Sequence, residues 1–412
     1  MKKFIKCSFI LFLLFSTIYP VVWFFLPVTI TRLIELSGLA YFFLIYNKKR
    51  KPKNQTFRII GYFLIVIIYS LFIFFLNGHF DSAFIKFLFS PLMSLGSALL
   101  ICITIGKRLS TGVLVDYIIY AALIQAIISF SLFTSPSLYE SVMSLIQFDD
   151  IQRANVYGLV AYRLIGVGNS IWFAAANYGV DLLLLSSLPY CHGSLLYKNK
   201  PLYIASIIIF ILAGILSART FFLVFVVLFM YMYMIRVSNI QFIRSLGKIV
   251  FIGLFSLLAV LYLASIFIDV DRLEIITSWA FEMFKSLEDG GSMETKSSNR
   301  IIEMYHAVPD NLSGWFFGEA YFENEDGSYY KTTDIGYIRL ILCFGIVGLL
   351  LYISTLFYFY KRAGKLYDKT FRHLLTCIFF FELILLSKGV ISLSIYVSLF
   401  YVSGVLVKLK KV

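Results

Sequence analysis

Charged residues and cysteine are both scarce in this sequence, and each shortage excludes a class of protein. Only 14% of the 412 residues are charged, while 60% are hydrophobic. A soluble domain has about 25% charged and 45–50% apolar residues, so a globular protein surrounded by water is excluded. The cysteines lie in or beside apolar runs and form no CxxC pair, which argues against a disulfide framework or a zinc site. They are Cys7, Cys102, Cys191, Cys343 and Cys377.

A signal-peptide cleavage site is also missing from the N-terminal segment. The stretch MKKFIKCSFILFLLF starts with basic residues and continues as an apolar core, as a signal peptide does. The apolar run continues through TIYPVVWFFL, without a small-residue cleavage site. We therefore expect an uncleaved first membrane span.

Twelve apolar segments are long enough to cross a bilayer, which requires about 20 helical residues. They predict an all-α polytopic membrane protein that forms one integral membrane domain over residues 1–412, without internal repeats. The predicted spans are 4–26, 28–46, 57–77, 83–105, 113–134, 170–190, 201–217, 219–236, 248–268, 334–360, 371–387 and 389–407.

Lys and Arg recur in alternate connections between these spans, and such residues favour the cytoplasm. With the N-terminus inside, the cytoplasmic side receives NKKRKPKNQTFR at 47–58, KRAGKLYDKTFR at 361–372 and the tail KLKK at 408–411. The short outer loop NGHFDS at 77–82 has neither Lys nor Arg. The pattern predicts cytoplasmic N and C termini and accounts for most of the +13 net charge. Nucleic acid is therefore not an expected partner.

Two segments on the predicted outer side are long, namely 135–169 and 269–333. The second, together with Asp334, contains fourteen of the 23 acidic residues. Connections of this length are usually functional. The fold prediction is thus about 12 transmembrane helices with one long, partly helical periplasmic loop between helices 9 and 10.

Two helices are expected inside the long loop. Apolar residues at three- and four-residue spacing predict an amphipathic helix over 273–287. A second helix is expected to begin near Ser298 or Asn299, because either is a good N-cap. It should stop before Pro309, since the residue before a proline disfavours helix.

An ionisable residue inside a span is costly and marks a candidate functional site. Arg32 and Glu35, three residues apart on the second span, are predicted to pair on one helix face. The other candidates can be either structural or in contact with substrate. They are Lys86, Asp116, Asp181 and Glu382.

Four arginines are predicted near the outer membrane face, each close to a helix end: Arg163, Arg219, Arg300 and Arg339. The guanidinium group is always charged and binds phosphate oxygens two at a time. Together they favour a phosphate-binding site. The alternative is that each arginine is an interface anchor, with its methylene groups in lipid and its guanidinium group in water.

The sequence resembles the O-antigen polymerases (Wzy-type), within the broader group of bacterial polysaccharide polymerases and O-antigen ligases. The resemblance covers roughly half of the chain, from Arg163 onward, and rests on topology and on four ordered segments. These segments are RLIGVGNS (163–170), GILSARTFFLVF (214–225), NRIIEMYHAVPDNLSGWFFGEAY (299–321) and TDIGYIRLILCFGIVGLLLY (333–352).

The resemblance implies a glycosyltransferase at the periplasmic face of the bacterial inner membrane. Such enzymes take a growing glycan from undecaprenyl diphosphate and attach it to the non-reducing end of a fresh lipid-linked repeat unit. They need no nucleotide sugar, metal or other cofactor. The implied partners are the undecaprenyl-diphosphate-linked oligosaccharide and polysaccharide and membrane lipid, with a chain-length regulator left open.

This reaction requires cations at the leaving diphosphate and a base at the acceptor hydroxyl. We expect the four arginines to bind the diphosphate, with Arg300 beside Glu303 or His306 as the proton acceptor, and Asp334 as the rival base. The alternative is a surface ion pair of Arg300 with Glu303, which contributes little. Two aromatic residues that can stack on sugars or anchor the interface are Trp315 and Tyr321. The acidic run ENED (323–326) has the composition of a solvated loop.

Three other functions stay open. An O-antigen ligase shares the architecture, but His306 is the only histidine of the long loop and lies well before the tenth span, which favours a polymerase. A lipid-linked oligosaccharide flippase or other transporter commonly has two related halves and broken helices, and neither is evident in the sequence. A structural membrane scaffold is the third.

Overall fold

The long apolar runs of the sequence form a helical bundle in the computed structural model. The structure describes residues 2–26, 28–46, 54–147, 163–168, 170–235, 296–324 and 326–410. Within these ranges the regular structure is helical, and pairing between extended segments is limited to the isolated bridges Trp23–Ile146 and Glu323–Tyr329. An all-α fold is therefore confirmed for the described part of the chain.

The α-helices of the described ranges are numbered here in chain order. They are α1 Lys2–Ile18, α2 Ile30–Tyr41, α3 Asn54–Asn77, α4 Ser82–Ile105, α5 Thr111–Thr134, α6 Pro136–Met143, α7 Ser170–Ser187, α8 Lys200–Ser217, α9 Leu223–Met234, α10 Lys296–Tyr305, α11 Leu312–Phe317, α12 Gly336–Gly364, α13 Lys369–Leu385 and α14 Ser394–Lys410. A π-helical turn, Phe42–Tyr46, extends α2, and 3-10 turns lie at Gly106–Arg108, Leu188–Tyr190, Arg219–Phe222 and Tyr330–Thr332.

Five described helices are long and apolar enough to cross a membrane, namely Thr56–Asn77, Ser82–Ile105, Thr111–Thr134, Lys200–Ser217 and Gly336–Gly364. Shorter apolar helices are Phe4–Ile18, Arg219–Met234 and Ser394–Lys408. The chain thus has membrane-protein character, while the count of twelve crossings stays a prediction. The predicted ninth span, 248–268, and the predicted loop helix 273–287 lie outside the described residues.

Two predicted spans are shorter in the structure than in the sequence pattern, and both differences have local causes. The first, 4–26, ends as a helix at Ile18, because Pro20 cannot continue the backbone hydrogen bonds. The last, 389–407, begins only at Ser394, because the N–H of Leu393 donates to the Glu382 carboxylate at 3.1 Å instead of joining a helix.

Close helix packing depends on small residues in the bundle. Gly38 of α2 and Gly96 of α4 lie backbone against backbone, so that a side chain at either position would collide with the other helix. Such contacts are typical of membrane helices, where small residues let backbones approach. α4 packs against both α2 and α14, and it is therefore a central helix of the described bundle.

The helix α12 is interrupted, and the loop before it completes the interruption. The backbone leaves helical geometry at Phe344 and Gly345. The N–H groups of Glu319 and Ala320 donate to the carbonyls of Leu342 and Cys343 at 2.6 and 3.1 Å. Non-helical backbone within a membrane bundle requires such internal partners. The loop segment after α11 is therefore part of the bundle packing.

Most of the ionisable residues predicted inside spans have structural partners. Arg32 Nη1 donates to Glu35 Oε2 at 2.7 Å, so the predicted pair is confirmed. The Asp116 carboxylate accepts hydrogen bonds from the Ser194 hydroxyl and the Leu195 and Leu196 N–H groups. Glu382 accepts from the Tyr360 hydroxyl at 2.8 Å. Asp181 is fully buried near the tyrosines 19, 178 and 396, and Lys86 is exposed.

Candidate functional site

The turn between α13 and α14, residues 386–393, reaches the interior of the bundle. The hydroxyl of Ser394, the first residue of α14, lies 3.3 Å from that of Ser94. Ser94 is near the middle of the 24-residue α4, about 18 Å along that helix from its first residue. The first turn of α14 therefore lies at about the middle of α4.

The segment 163–168 enters the bundle in the same way. Its Val167 carbonyl accepts from Gln125 Nε2 at 3.3 Å, and Gln125 lies about 14 Å from the end of α5. The segment is joined to the end of α8, because Leu164 N–H donates to the Leu216 carbonyl at 2.9 Å. The Ser217 hydroxyl donates to the Leu164 carbonyl at 3.1 Å. These bonds hold the two arginine-bearing segments side by side.

Four charged residues from separate parts of the chain gather where these segments meet. The charges of Arg219 and Arg163 and the carboxylate of Asp334 all act on the Lys388 ammonium. Each of the four side chains is half-buried. Arg163, Arg219, Lys388 and Asp334 are called the basic cluster below.

The electrostatics of the basic cluster favour an incoming anion. Lys388 lies in the turn 386–393, outside both flanking helices. Burial lowers the pKa of this ammonium, the neighbouring Arg219 and Arg163 lower it further, and Asp334 raises it. Repulsion from the two arginines and attraction to Asp334 therefore both act on the Lys388 ammonium. A polyanion entering the site would relieve this repulsion.

Asp334 reaches the cluster because the start of α12 is fastened to the end of α13. The Tyr337 N–H donates to the Leu386 carbonyl at 3.1 Å. A Cβ on Gly336 would lie 2.6 Å from the Gly389 carbonyl oxygen, so this contact requires glycine. The backbone of Asp334 consequently runs alongside Gly389, next to Lys388.

The helix α10 carries Arg300 and Glu303, and His306 follows it directly. It packs beside the residues that precede α12. It ends at Tyr305, before Pro309 as predicted, but it has already begun by Lys296, ahead of Ser298 and Asn299. Met304 contacts the apolar start of α12, and its carbonyl accepts from the Thr333 hydroxyl at 3.3 Å. The residue before Asp334 is thus tied to α10.

The structure describes the side chains of two of the three predicted residues on and just after α10. Glu303 and His306 are exposed, directed away from the Met304 contact. Arg300 occupies the turn before Met304, and its side chain lies outside the described part of the structure. Among the three predicted bases, Asp334 is the one that lies at the basic cluster.

Arg339 has a different environment from the other arginines. Its guanidinium carbon lies 3.8 Å from the Phe322 ring centre and 3.9 Å from that of Tyr329. Nη2 donates to the Phe322 carbonyl at 3.2 Å and lies 3.4 Å from Glu323 Oε1. Burial raises the pKa of Glu323, against the opposing effect of Arg339. This arginine therefore fastens Phe322, Glu323 and Tyr329 of the loop to α12.

The predicted sugar-binding aromatics also have protein contacts. The Tyr321 ring stacks on His79 at 4.0 Å and on Tyr330 at 4.8 Å, both nearly parallel. Two rings cannot share one face, so both faces of Tyr321 are covered by protein. Trp315, on the short helix α11, is half-buried. The position of Tyr321 favours a structural role.

Two features of this site escape the sequence reasoning. The first is Lys388, which the sequence pattern places at the junction of two spans without indicating a function. The one sequence feature that could have pointed to it is a lone lysine between closely spaced apolar segments. Broken helices are not evident in the sequence, but the structure has them, because α7 leaves helical geometry at Phe173 and α12 does so at Phe344 and Gly345.

The described arrangement brings three half-buried cations and a carboxylate together on non-helical segments. Cations in such a setting bind diphosphate, because charge-assisted bonds strengthen where water is partly excluded. The chain matches no known protein family model, curated protein or solved structure in the comparisons made.

Proposed function

We propose that the protein is an O-antigen polymerase of the bacterial inner membrane. It transfers a growing glycan from undecaprenyl diphosphate to the non-reducing end of a lipid-linked repeat unit, on the periplasmic side. The observation that supports the proposal is that Arg163, Arg219 and Asp334, from three segments far apart along the chain, all act on the charge of Lys388. Groups suited to phosphate binding and to proton transfer therefore lie near one another.

In this mechanism the two arginines neutralise the charge that develops on the leaving diphosphate. The acceptor hydroxyl attacks the anomeric carbon of the donor sugar, and the electron pair of the broken C–O bond goes to the diphosphate. Asp334 accepts the hydroxyl proton. Preorganised donors of this kind typically contribute about 10²- to 10³-fold each to the rate.

The first test is deletion of the gene in its own organism, followed by gel analysis of the lipopolysaccharide. A polymerase predicts that the ladder collapses to core plus one repeat unit. Core alone, with lipid-linked polymer accumulating, indicates a ligase instead. An unchanged ladder refutes both functions.

The second test restores the gene with single substitutions. Arg163→Ala and Arg219→Ala should each abolish the ladder while the protein stays in the membrane at normal abundance. Arg219→Lys should recover only part of it, because an ammonium lacks the rigid planar fork with which a guanidinium binds two phosphate oxygens. The matched control is Lys86→Ala, an exposed cation on α4 that should leave the ladder intact. Full ladders from both arginine variants would refute the arginine mechanism.

A lipid-linked oligosaccharide flippase is the second candidate, because the interruptions in α7 and α12 are typical of transporters. The deletion strain separates the two functions. Loss of a flippase leaves core alone and single repeat units on the carrier at the cytoplasmic face. Loss of a polymerase leaves single repeat units that have already been transferred to core.

A further inference from the structure

Five carboxylic side chains are buried in the described part of the chain: Glu35, Asp81, Asp116, Asp181 and Glu382. Four of them have clear partners. Glu35 pairs with an arginine, and Asp81 and Asp116 each accept from backbone N–H groups. Glu382 accepts from a tyrosine hydroxyl and a backbone N–H. The fifth is different, because among the described residues no donor has hydrogen-bond geometry to either oxygen of Asp181.

Asp181 also lies deep within its helix. Its exposed fraction is 0%, and it is about 16 Å along the 18-residue α7 from the first residue. A carboxylate in such surroundings is unfavourable unless a cation compensates its charge or a proton neutralises it. An ionisable residue inside a membrane bundle therefore marks a candidate site whose partner has to be identified.

Oxygen-bearing side chains lie close to this carboxylate. Asn177 and Tyr178 come four and three residues before Asp181 on α7, so they share its helix face. The Tyr396 hydroxyl, from the first turn of α14, lies 3.5 Å from Asn177 Oδ1. The Tyr178 hydroxyl lies 3.2 Å from that of Ser129 on α5. Neutral oxygen atoms from three helices thus meet at this buried face of α7.

Tyr19 is a second buried polar group without a hydrogen bond in this region. Its side chain is 1% exposed, and its hydroxyl has no hydrogen-bond partner within the part of the chain that the structure describes. The hydroxyl lies near the Asp181 carboxylate without reaching hydrogen-bond geometry with it. Two polar groups that are close but not bonded commonly share a third atom between them.

The chemistry of these side chains favours a monovalent metal cation. Carboxylate, amide and hydroxyl oxygens are hard ligands, which suit cations that hold their water tightly. One carboxylate balances one positive charge, whereas a divalent ion would leave an uncompensated charge in the interior. Groups of three or more His, Cys, Asp or Glu side chains that would suit a transition metal are absent from the described residues.

We propose that Asp181 is the anionic ligand of a site for a monovalent metal cation in the interior of the bundle. Asn177 and Tyr396 supply neutral oxygen ligands, and the bound ion joins α7 to α14. The interruption of α7 at Phe173 lies about two turns before Asp181, and ion sites of membrane proteins are commonly built beside interrupted helices. The site shares no residue with the basic cluster and goes beyond the proposed transfer reaction.

Thermal melts of the purified full-length protein in detergent test this site. NaCl is replaced by choline chloride at constant pH and ionic strength. The melting temperature should rise saturably with Na⁺, on the order of a few degrees, because an ion that binds only the folded state stabilises it. Asp181→Asn should abolish this response. In choline chloride it should melt higher than the wild type, since it removes a buried charge without a donor and keeps the shape; misfolding cannot produce that result.

Glu382→Gln is the matched control, because Glu382 is equally buried but has its own donors. It should lower the melting temperature in both salts and keep the rise with Na⁺. Equilibrium dialysis with radioactive sodium measures binding directly. Wild type and Glu382→Gln should each bind about one ion per chain, and Asp181→Asn should bind more than about tenfold more weakly, the smallest effect typical of changes even around a metal ligand.

Three results would overturn the proposal. Stabilisation of the wild type by lower pH but not by Na⁺, lost in Asp181→Asn, would show that a proton neutralises the carboxylate. A wild type that responds to neither would show that water or protein donors satisfy it. A lower melting temperature of Asp181→Asn than of the wild type in choline chloride would show the same for protein donors. Because these measurements need neither glycan nor carrier lipid, their outcome is independent of the proposed function.

Discussion

Asp81 holds the long loop on the bundle, and removing its charge should release the loop without unfolding the helices. One oxygen, Oδ1, caps α4 by accepting from the N–H groups of Ala83 and Phe84 at 3.0 and 3.1 Å. The other, Oδ2, accepts from the N–H groups of Phe322 and Glu323, both at 2.9 Å. Asp81→Asn keeps the cap but turns an NH₂ donor toward two N–H donors.

The magnitude follows from the two lost bonds. A hydrogen bond to a charged group contributes about 1.5–3 kcal/mol, so the loop should lose about 3–6 kcal/mol of attachment. Since each 1.4 kcal/mol is a factor of ten, amide exchange over 319–324 should accelerate by about 10²- to 10⁴-fold if these amides exchange by local opening. Transfer activity should fall as well, because Glu319 of the same segment accepts from Lys331, three residues before Asp334, at 3.4 Å.

Hydrogen–deuterium exchange with mass spectrometry of the protein in detergent measures this effect peptide by peptide. Asp116→Asn is the matched control, because its carboxylate, near the start of α5, holds the 194–196 turn in the same way. It should accelerate exchange there and leave 319–324 unchanged. Unchanged exchange over 319–324 in Asp81→Asn, or the same pattern in both variants, would refute the reasoning.

Two further predictions concern the pH response and the interrupted helix. Because burial and the arginines lower the pKa of Lys388, this ammonium should lose its charge at a lower pH than an exposed lysine. The affinity of the purified protein for inorganic pyrophosphate should therefore fall as pH rises from about 7 to about 10. The measure is the ratio of this affinity to that of Lys388→Arg, in which the titration of pyrophosphate itself cancels. A parallel pH dependence in both proteins would contradict this. Gly345→Ala should destabilise the protein by several kcal/mol, since its Cβ would collide with the Phe316 carbonyl and its φ is 73°. The loss of stability is about the sum of the cost of a left-handed backbone for alanine and the cost of overpacking. Gly327→Ala, at φ 79° in open space, should lose only about 1–2 kcal/mol in the same thermal melt.

The sequence predicts the longest helices well, because an uninterrupted apolar run leaves few alternatives to helix. The segments 57–77, 83–105 and 113–134 all have a described helix within a few residues of the predicted bounds. The end of α1 can be anticipated from Pro20. The late start of α14 cannot, because it depends on Glu382 accepting from Leu393, which is a tertiary contact.

The candidate site is predictable only in part, for a similar reason. Arg163 and Arg219 stand out in the sequence because each lies next to a span, and the structure brings them together. Lys388 has a similar sequence context, but its proximity to Asp334 follows from the fastening of α12 to α13. The role of Arg339 depends on Phe322 and Tyr329, whose placement on either side of it cannot be derived from sequence spacing.

The interruption of α12 has a consequence for how the chain is assembled. The carbonyls of Leu342 and Cys343 take their hydrogen bonds from Glu319 and Ala320, which belong to the polar segment synthesised before this apolar stretch. That earlier segment must therefore return to the newly inserted stretch before the latter can reach its final shape. The polar segment and this apolar stretch consequently fold together. A deletion within the polar segment that spares every apolar run would still prevent the interrupted helix from reaching its native conformation.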